Sequence, residues 1–136
     1  MHVNPYLFFN GNCEAAFKFY AESLNGKITA LLPHEGTPAE LHVPAEWRKK
    51  IMHAHMTIGD TALMGSDSPP EHYKKPQGFS VALQVAKPEE ADRAFQALSK
   101  GGTVTMPMQQ TFFAARFGML VDQFGMPWMV NCPPQA

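Results

Sequence analysis

The chain repeats itself. Ala16, Phe19 and Tyr20 in its first half match Ala91, Ala94 and Phe95 in its second, and Gly26-Lys-Ile-Thr29 matches Gly102-Thr-Val-Thr105. The offset grows by one residue between the two matches, in a helix-to-strand loop, where insertions are tolerated. A repeat of this kind restricts the fold more than any local propensity, because both copies have to adopt one supersecondary unit.

Each copy reads as a strand, a helix and three strands. In the first, "VNPYLFFNG" is a strand ending at Gly11, and Asn12 is placed as the N-cap of a helix with Glu14 in its first turn. Ala16, Phe19, Tyr20 and Leu24 then recur at helical spacing until Asn25-Gly26 ends the helix. "KITALL" is a strand, Pro33 to Pro44 is a loop, and "PAEWRKK" forms one helical turn. "IMHAHMTIGDTALMGSD" is a hairpin turning at Gly59-Asp60. In the second copy, "FSVALQV" alternates, with Phe79, Val81, Leu83 and Val85 on one face and Ser80, Ala82 and Gln84 on the other. Pro88 opens a helix with the stripe Ala91, Ala94, Phe95 and Leu98. "TVTM" is a strand, and "FFAARFGMLVD" with "MPWMVN" is the closing hairpin. The expected fold is therefore α+β, two tandem βαβββ modules at 1–66 and 78–136, with a polar, proline-bearing linker at 67–77.

Length and charge narrow the function. One domain is the natural reading of 136 residues, and 45% hydrophobic against 17% charged residues supplies a core. Eleven basic and twelve acidic residues give a net charge of −1, which argues against nucleic acid and against a membrane surface as partner. No apolar run approaches the roughly 18 residues of a membrane span, and "MHVNPYLFF" lacks the order of a signal peptide. Two cysteines far apart, Cys13 and Cys132, suit reduced thiols in the cytoplasm. Nine methionines suggest adaptable packing in the core or around a pocket.

A few residues carry chemistry. His53 and His55 sit two apart on a strand, so they share a face. If Met52, Ala54, Met56 and Ile58 turn to the helices, the histidines turn to the other side. There they bind an anion, act as acid or base, or hold a metal; the competing reading is an ordinary sheet surface. Arg116 faces the pocket with Gly118 and Leu120 if Phe117, Met119 and Val121 pack on a helix. A guanidinium so placed grips a carboxylate or phosphonate; the alternative is an edge-strand charge. Trp128 is expected in the helix-side core, and Trp47 at a pocket cap or a subunit interface. Cys13, at a helix N-terminus, is either a lowered-pKa thiolate or, more commonly, a small buried residue. Asp60 and Asp122 are turn residues.

The segments "GNCEAAFKFY", "IMHAHMTIGDTALMGSD" and "FGMLVDQFGMPWMVN", in this order over nearly the whole chain, resemble the PhnB-like group of the vicinal oxygen chelate (glyoxalase/bleomycin-resistance) superfamily. The resemblance implies a curved mixed sheet with helices outside and a concave pocket, and a homodimer. In metal-using members a divalent ion acts there as a Lewis acid. Carried over, its ligand positions fall at Pro5 or Tyr6, at Ser80 and at Met129. These residues do not supply the imidazole and carboxylate such ions prefer, so no cofactor is expected at the family metal site, while an atypical divalent metal elsewhere stays open. The resemblance thus points to a small-molecule-binding protein, its pocket formed by Tyr6, Phe8, Ser80 and Met129 with His53, His55 and Arg116 as polar points. The alternative is a lyase-, isomerase- or dioxygenase-like enzyme that acts on a small oxygenated substrate through His53 and His55 or an atypical metal. A third class is a structural or regulatory dimer. Some PhnB-like proteins are also described as demethylubiquinone methyltransferases, but the chain has no glycine-rich strand-to-helix loop of the methyl-donor type.

Overall fold

Each repeat builds one four-stranded sheet with one helix on it. The computed structural model describes residues 1–136 and divides into two units, Met1–Lys74 and Lys75–Ala136. The first unit runs β1 (Tyr6–Phe9), α1 (Cys13–Leu24), β2 (Lys27–Pro33), β3 (Ile51–Ile58) and β4 (Thr61–Asp67). Its sheet order is β1-β4-β3-β2, with β1 parallel to β4 and the other pairs antiparallel. The second unit runs β5 (Val81–Gln84), α2 (Pro88–Ser99), β6 (Thr103–Gln109), β7 (Arg116–Val121) and β8 (Pro127–Cys132). Its order, β5-β8-β7-β6, repeats the first topology strand for strand. The βαβββ repeat read from the sequence is the architecture.

In the first unit α1 packs across β2, β3 and β4. The sheet contributes Leu7, Phe9, Ala54, Met56 and Leu63 to the core, and the helix contributes Ala16, Phe17 and Tyr20. Phe17, outside the expected stripe, takes a deep position that Phe19 does not; Phe19 is only half-buried. Phe17 fits because residue 65 beneath it is glycine. A Cβ at Gly65 would meet the Leu7 carbonyl oxygen at 2.7 Å and Phe17 Cε1 at 2.9 Å. Burying these side chains supplies the main drive to hold helix on sheet.

The start of α1 is held from a distance. Asn12 is the N-cap residue, as expected, but its side chain makes no capping bond. The buried carboxylate of Asp67, at the end of β4, does this work. Its Oδ1 accepts the backbone N–H groups of Gly11 and Cys13, each at 2.9 Å, and its Oδ2 accepts that of Ile51 at 2.9 Å. One side chain thus satisfies orphan donors at a helix N-terminus and ties β3 to β4. Asp67 therefore belongs to a strand, beyond the Met64 at which the sequence pattern faded.

The second core gathers Leu120, Trp128 and Val130 against Ala91, Phe95 and Leu98 of α2. Trp128 lies in the helix-side core as expected, and its indole N–H donates to Asp122 Oδ2 at 2.9 Å. Asp122 Oδ1 accepts from the backbone N–H of Phe124 and of Met126, the turn role anticipated for it. Trp47 is 8% exposed and packs toward Gly11. The segment before it folds into short 3-10 turns at Pro38–His42 and Ala45–Trp47.

Candidate functional site

Strand alternation decides which residues share a face. In β1, Leu7 and Phe9 are buried under α1, so Tyr6 and Phe8 turn to the opposite side; they are 38% and 53% exposed. In β3, Ala54 and Met56 are buried, so His53 and His55 turn the same way as Tyr6 and Phe8. Leu32, register partner of His53, and Met64, register partner of both Tyr6 and His55, complete this face. The first sheet thus presents an aromatic and imidazole surface on the side away from its helix.

The imidazoles are held by hydroxyls from two strands. The Tyr6 hydroxyl lies 3.1 Å from His53 Nδ1, and the two rings are near-parallel with centroids 5.8 Å apart. Tyr6 also leans on Phe8, with centroids 5.2 Å apart. On the other side, Thr29 Oγ1 lies 2.6 Å from His55 Nδ1 and 3.2 Å from the His55 carbonyl oxygen. A carbonyl only accepts, so when the threonine proton goes there, His55 Nδ1 carries a proton and donates it to Oγ1. The lone pair then sits on Nε2. Sequence periodicity placed the two histidines together; their hydroxyl partners came from β1 and β2, which only the sheet order brings near.

Arg116 does not join a face of this kind. Its register partner is Cys132, and its neighbours Gly118 and Leu120 are buried on the α2 side. Its guanidinium Nε donates to Asp92 Oδ1 of α2 at 2.8 Å. The expected assignment was reversed by one residue, which inverts every side chain of a strand. The physical reason is Gly118. A Cβ there would meet Phe95 Cε2 at 2.7 Å, so the helix presses Phe95 onto the strand at a position only glycine vacates. Phe117 and Met119 are displaced to the opposite face.

On the second sheet, Met129 alternates with the buried Trp128 and Val130 and so faces away from α2. Its register partners are Ala82 and Met119, and Met119 in turn faces Met106. Ser80 precedes β5, one residue before Val81. At the positions to which the resemblance assigns metal ligands, Pro5 or Tyr6, Ser80 and Met129, the groups present are a proline ring or a phenol bonded to His53, a serine hydroxyl and a thioether. This set does not fit the hard or borderline ion of the metal-using members. No group of three or more His, Cys, Asp or Glu side chains is disposed to hold a metal.

Two other features are accounted for. Cys13 is fully buried, and burial first, then the Asp67 and Glu14 carboxylates, push its thiol far above the ordinary value. The helix dipole does not make it a thiolate, because burial, and after it the carboxylate that caps the helix, opposes it. Cys13 and Cys132 are both free and buried. A cleft of about 440 Å³ lies beside the start of α1, near Gly11, Asn12 and Lys50. The N–H groups of Gly11 and Cys13 beside it donate to Asp67, and Lys50 Nζ donates to the Gly11 carbonyl oxygen at 2.9 Å. No helix is long and apolar enough to cross a membrane.

Known proteins agree with this architecture. The family model described as 3-demethylubiquinone-9 3-methyltransferase matches residues 1–131. The protein YjdN of Escherichia coli (strain K12) is 32% identical over 146 residues, covering 99% of this chain and 97% of its own length. Protein PA1353 of Pseudomonas aeruginosa, of known crystal structure, is 46% identical with a TM-score of 0.90, and the match covers 99% of each chain. A glyoxylase/bleomycin resistance protein/dioxygenase domain from Frankia sp. EAN1pec shares the fold at 14% identity, with a TM-score of 0.66 over 98% of this chain and 95% of that one. With a family model spanning nearly its whole length, the chain belongs to the family described as 3-demethylubiquinone-9 3-methyltransferase.

Proposed function

We propose that this chain is a small-molecule-binding protein whose ligand lies on the first sheet's face away from α1. The observation that carries the reading is the grouping of Tyr6, Phe8, His53 and His55 on rigid strands, with both imidazoles fixed by hydroxyls. A largely apolar platform with a few oriented polar groups is what a small-molecule site needs. The ligand class it suits is planar or amphipathic, with its apolar part against Tyr6 and Phe8 and a polar or acidic end at the imidazoles. Tyr6 serves such a ligand as apolar surface and as the partner of His53. The methyltransferase description of the family is not carried over, because fold kinship does not transfer chemistry.

Ligand-detected NMR against planar aromatic carboxylates and phosphonates tests this. Tyr6→Ala should weaken a hit tenfold or more, and Arg116→Ala should leave it unchanged. The opposite pattern would move the site to the second unit. A second reading, an enzyme, is favoured by one observation: the Tyr6 hydroxyl lies 3.1 Å from His53 Nδ1 beside a second fixed imidazole, an arrangement suited to general acid–base work. A change in the NMR spectrum or the mass of a bound hit on incubation, lost in His53→Asn, would establish it, and a hit unchanged in both would remove it.

The buried, free thiols support a reducing, cytoplasmic setting. A homodimer is supported by the open outer strand β6, six of whose seven residues are exposed. Light scattering at a single-chain mass would end that part of the reading.

A further inference from the structure

We propose that His53 and His55 form a two-imidazole chelate for a borderline divalent cation, Zn²⁺, Ni²⁺ or Cu²⁺, at a place distinct from the superfamily's ligand positions. Three observations carry it. The residues are two apart on one face of β3, a central strand of its sheet. Two residues of strand span about 6.6 Å, and two imidazoles meet one ion across such a gap at Zn–N distances of about 2.0–2.1 Å. Each ring is already held through Nδ1 by a hydroxyl, Tyr6 for His53 and Thr29 for His55. Metal-binding histidines are usually fixed in this way by a partner on the nitrogen that does not bind. Neither Nε2 has a hydrogen-bond partner in the protein, so both remain for a ligand. The neighbours on this face, Tyr6, Phe8, Leu32 and Met64, include no carboxylate. Such a site rejects Mg²⁺ and Ca²⁺, which need oxygen donors, and selects ions that favour imidazole.

The test uses the full chain without a histidine tag, stripped with a chelator and titrated calorimetrically with ZnCl₂. One Zn²⁺ per chain is expected, with affinity falling tenfold or more in His53→Asn and again in His55→Asn. The exposed His2, His42 and His72 serve as controls; their replacement by asparagine should change nothing. Cu²⁺ should show electron-spin coupling to two imidazole nitrogens in the wild type and to one in each variant. If an asparagine variant does not fold, carbethoxylation of the wild type gives a second readout: Zn²⁺ should protect His53 and His55 and leave His42 and His72 reactive. No saturable Zn²⁺ binding, or binding that follows the control histidines, would overturn the proposal. The two readings share the imidazoles, so Zn²⁺ is titrated with no small molecule present and Phe8→Ala reports on the small-molecule platform in chelator-treated protein; either can fail alone.

Discussion

Replacing Asp67 by alanine would remove the acceptor shared by three backbone N–H groups, those of Gly11, Cys13 and Ile51, all at 2.9 Å. The bonds to Cys13 and Ile51 are buried and the bond to Gly11 is part-buried. A buried donor left unpaired costs about 1–3 kcal/mol. Two such donors give ~2–6 kcal/mol, and the Gly11 donor, which water reaches, adds little. We therefore expect Asp67→Ala to destabilise by about 4 kcal/mol, a large share of the ~5–15 kcal/mol that holds a typical domain. Asp67→Asn should cost about half of that. Its one carbonyl oxygen can still accept from Gly11 and Cys13, while its amide would stand against the Ile51 N–H. Urea unfolding followed by circular dichroism measures both losses, with an unchanged slope showing that native and unfolded surfaces are the same. Hydrogen exchange at the Cys13 and Ile51 amides should accelerate in the alanine variant. A loss under ~1 kcal/mol for Asp67→Ala, or equal losses for the two variants, would refute the assignment of Asp67 as a long-range helix cap.

Three further outcomes follow from the same structure. Arg116→Ala should cost under ~1 kcal/mol by urea unfolding, because its pair with Asp92 is about one-third to one-half exposed and screened by water. Gly118→Ala should cost ~1–3 kcal/mol in the same assay, since its Cβ would meet Phe95 Cε2 at 2.7 Å and Met108 Sδ at 2.6 Å. Stability should fall as pH rises past 9.0, the ordinary value for the thiol, because the unfolded chain then releases the Cys13 proton while burial keeps it on the folded one. Below that pH the contribution is complete. Urea midpoints between pH 7 and 10 should decline less steeply in Cys13→Ala.

The fold was legible because the repeat and the strand alternation are local signals. The αα offset of Ala16 and Ala91, and the period of two in "IMHAHM", needed no partner to be seen. The two histidines were placed on the right face because Ala54 and Met56 beside them are plainly core residues. Arg116 was misplaced because both faces of β7 carry apolar residues, so alternation alone did not choose between them. What chose was Phe95 of α2 seeking a vacancy at Gly118, a contact between distant residues. Asp67 was invisible for the same reason. Its polar neighbours "SDSPPEHY" read as linker, and its three donors lie in other segments. Trp47 was expected at a pocket cap or a subunit interface because its own loop offered no apolar stripe to bury it; within the chain it is buried, at the end of a short 3-10 turn.

The central claim is that the ligand lies on the Tyr6 and His53 face and needs no ion at the superfamily's ligand positions. The most direct test is amide chemical-shift mapping of the chelator-treated protein with a hit from the carboxylate and phosphonate panel. The account predicts shifts concentrated at Tyr6, Phe8, Leu32, His53 and His55, with Asp92 and Arg116 silent and binding retained after chelator treatment. Shifts confined to α1 or α2, or binding that appears only when a divalent ion is restored, would contradict it.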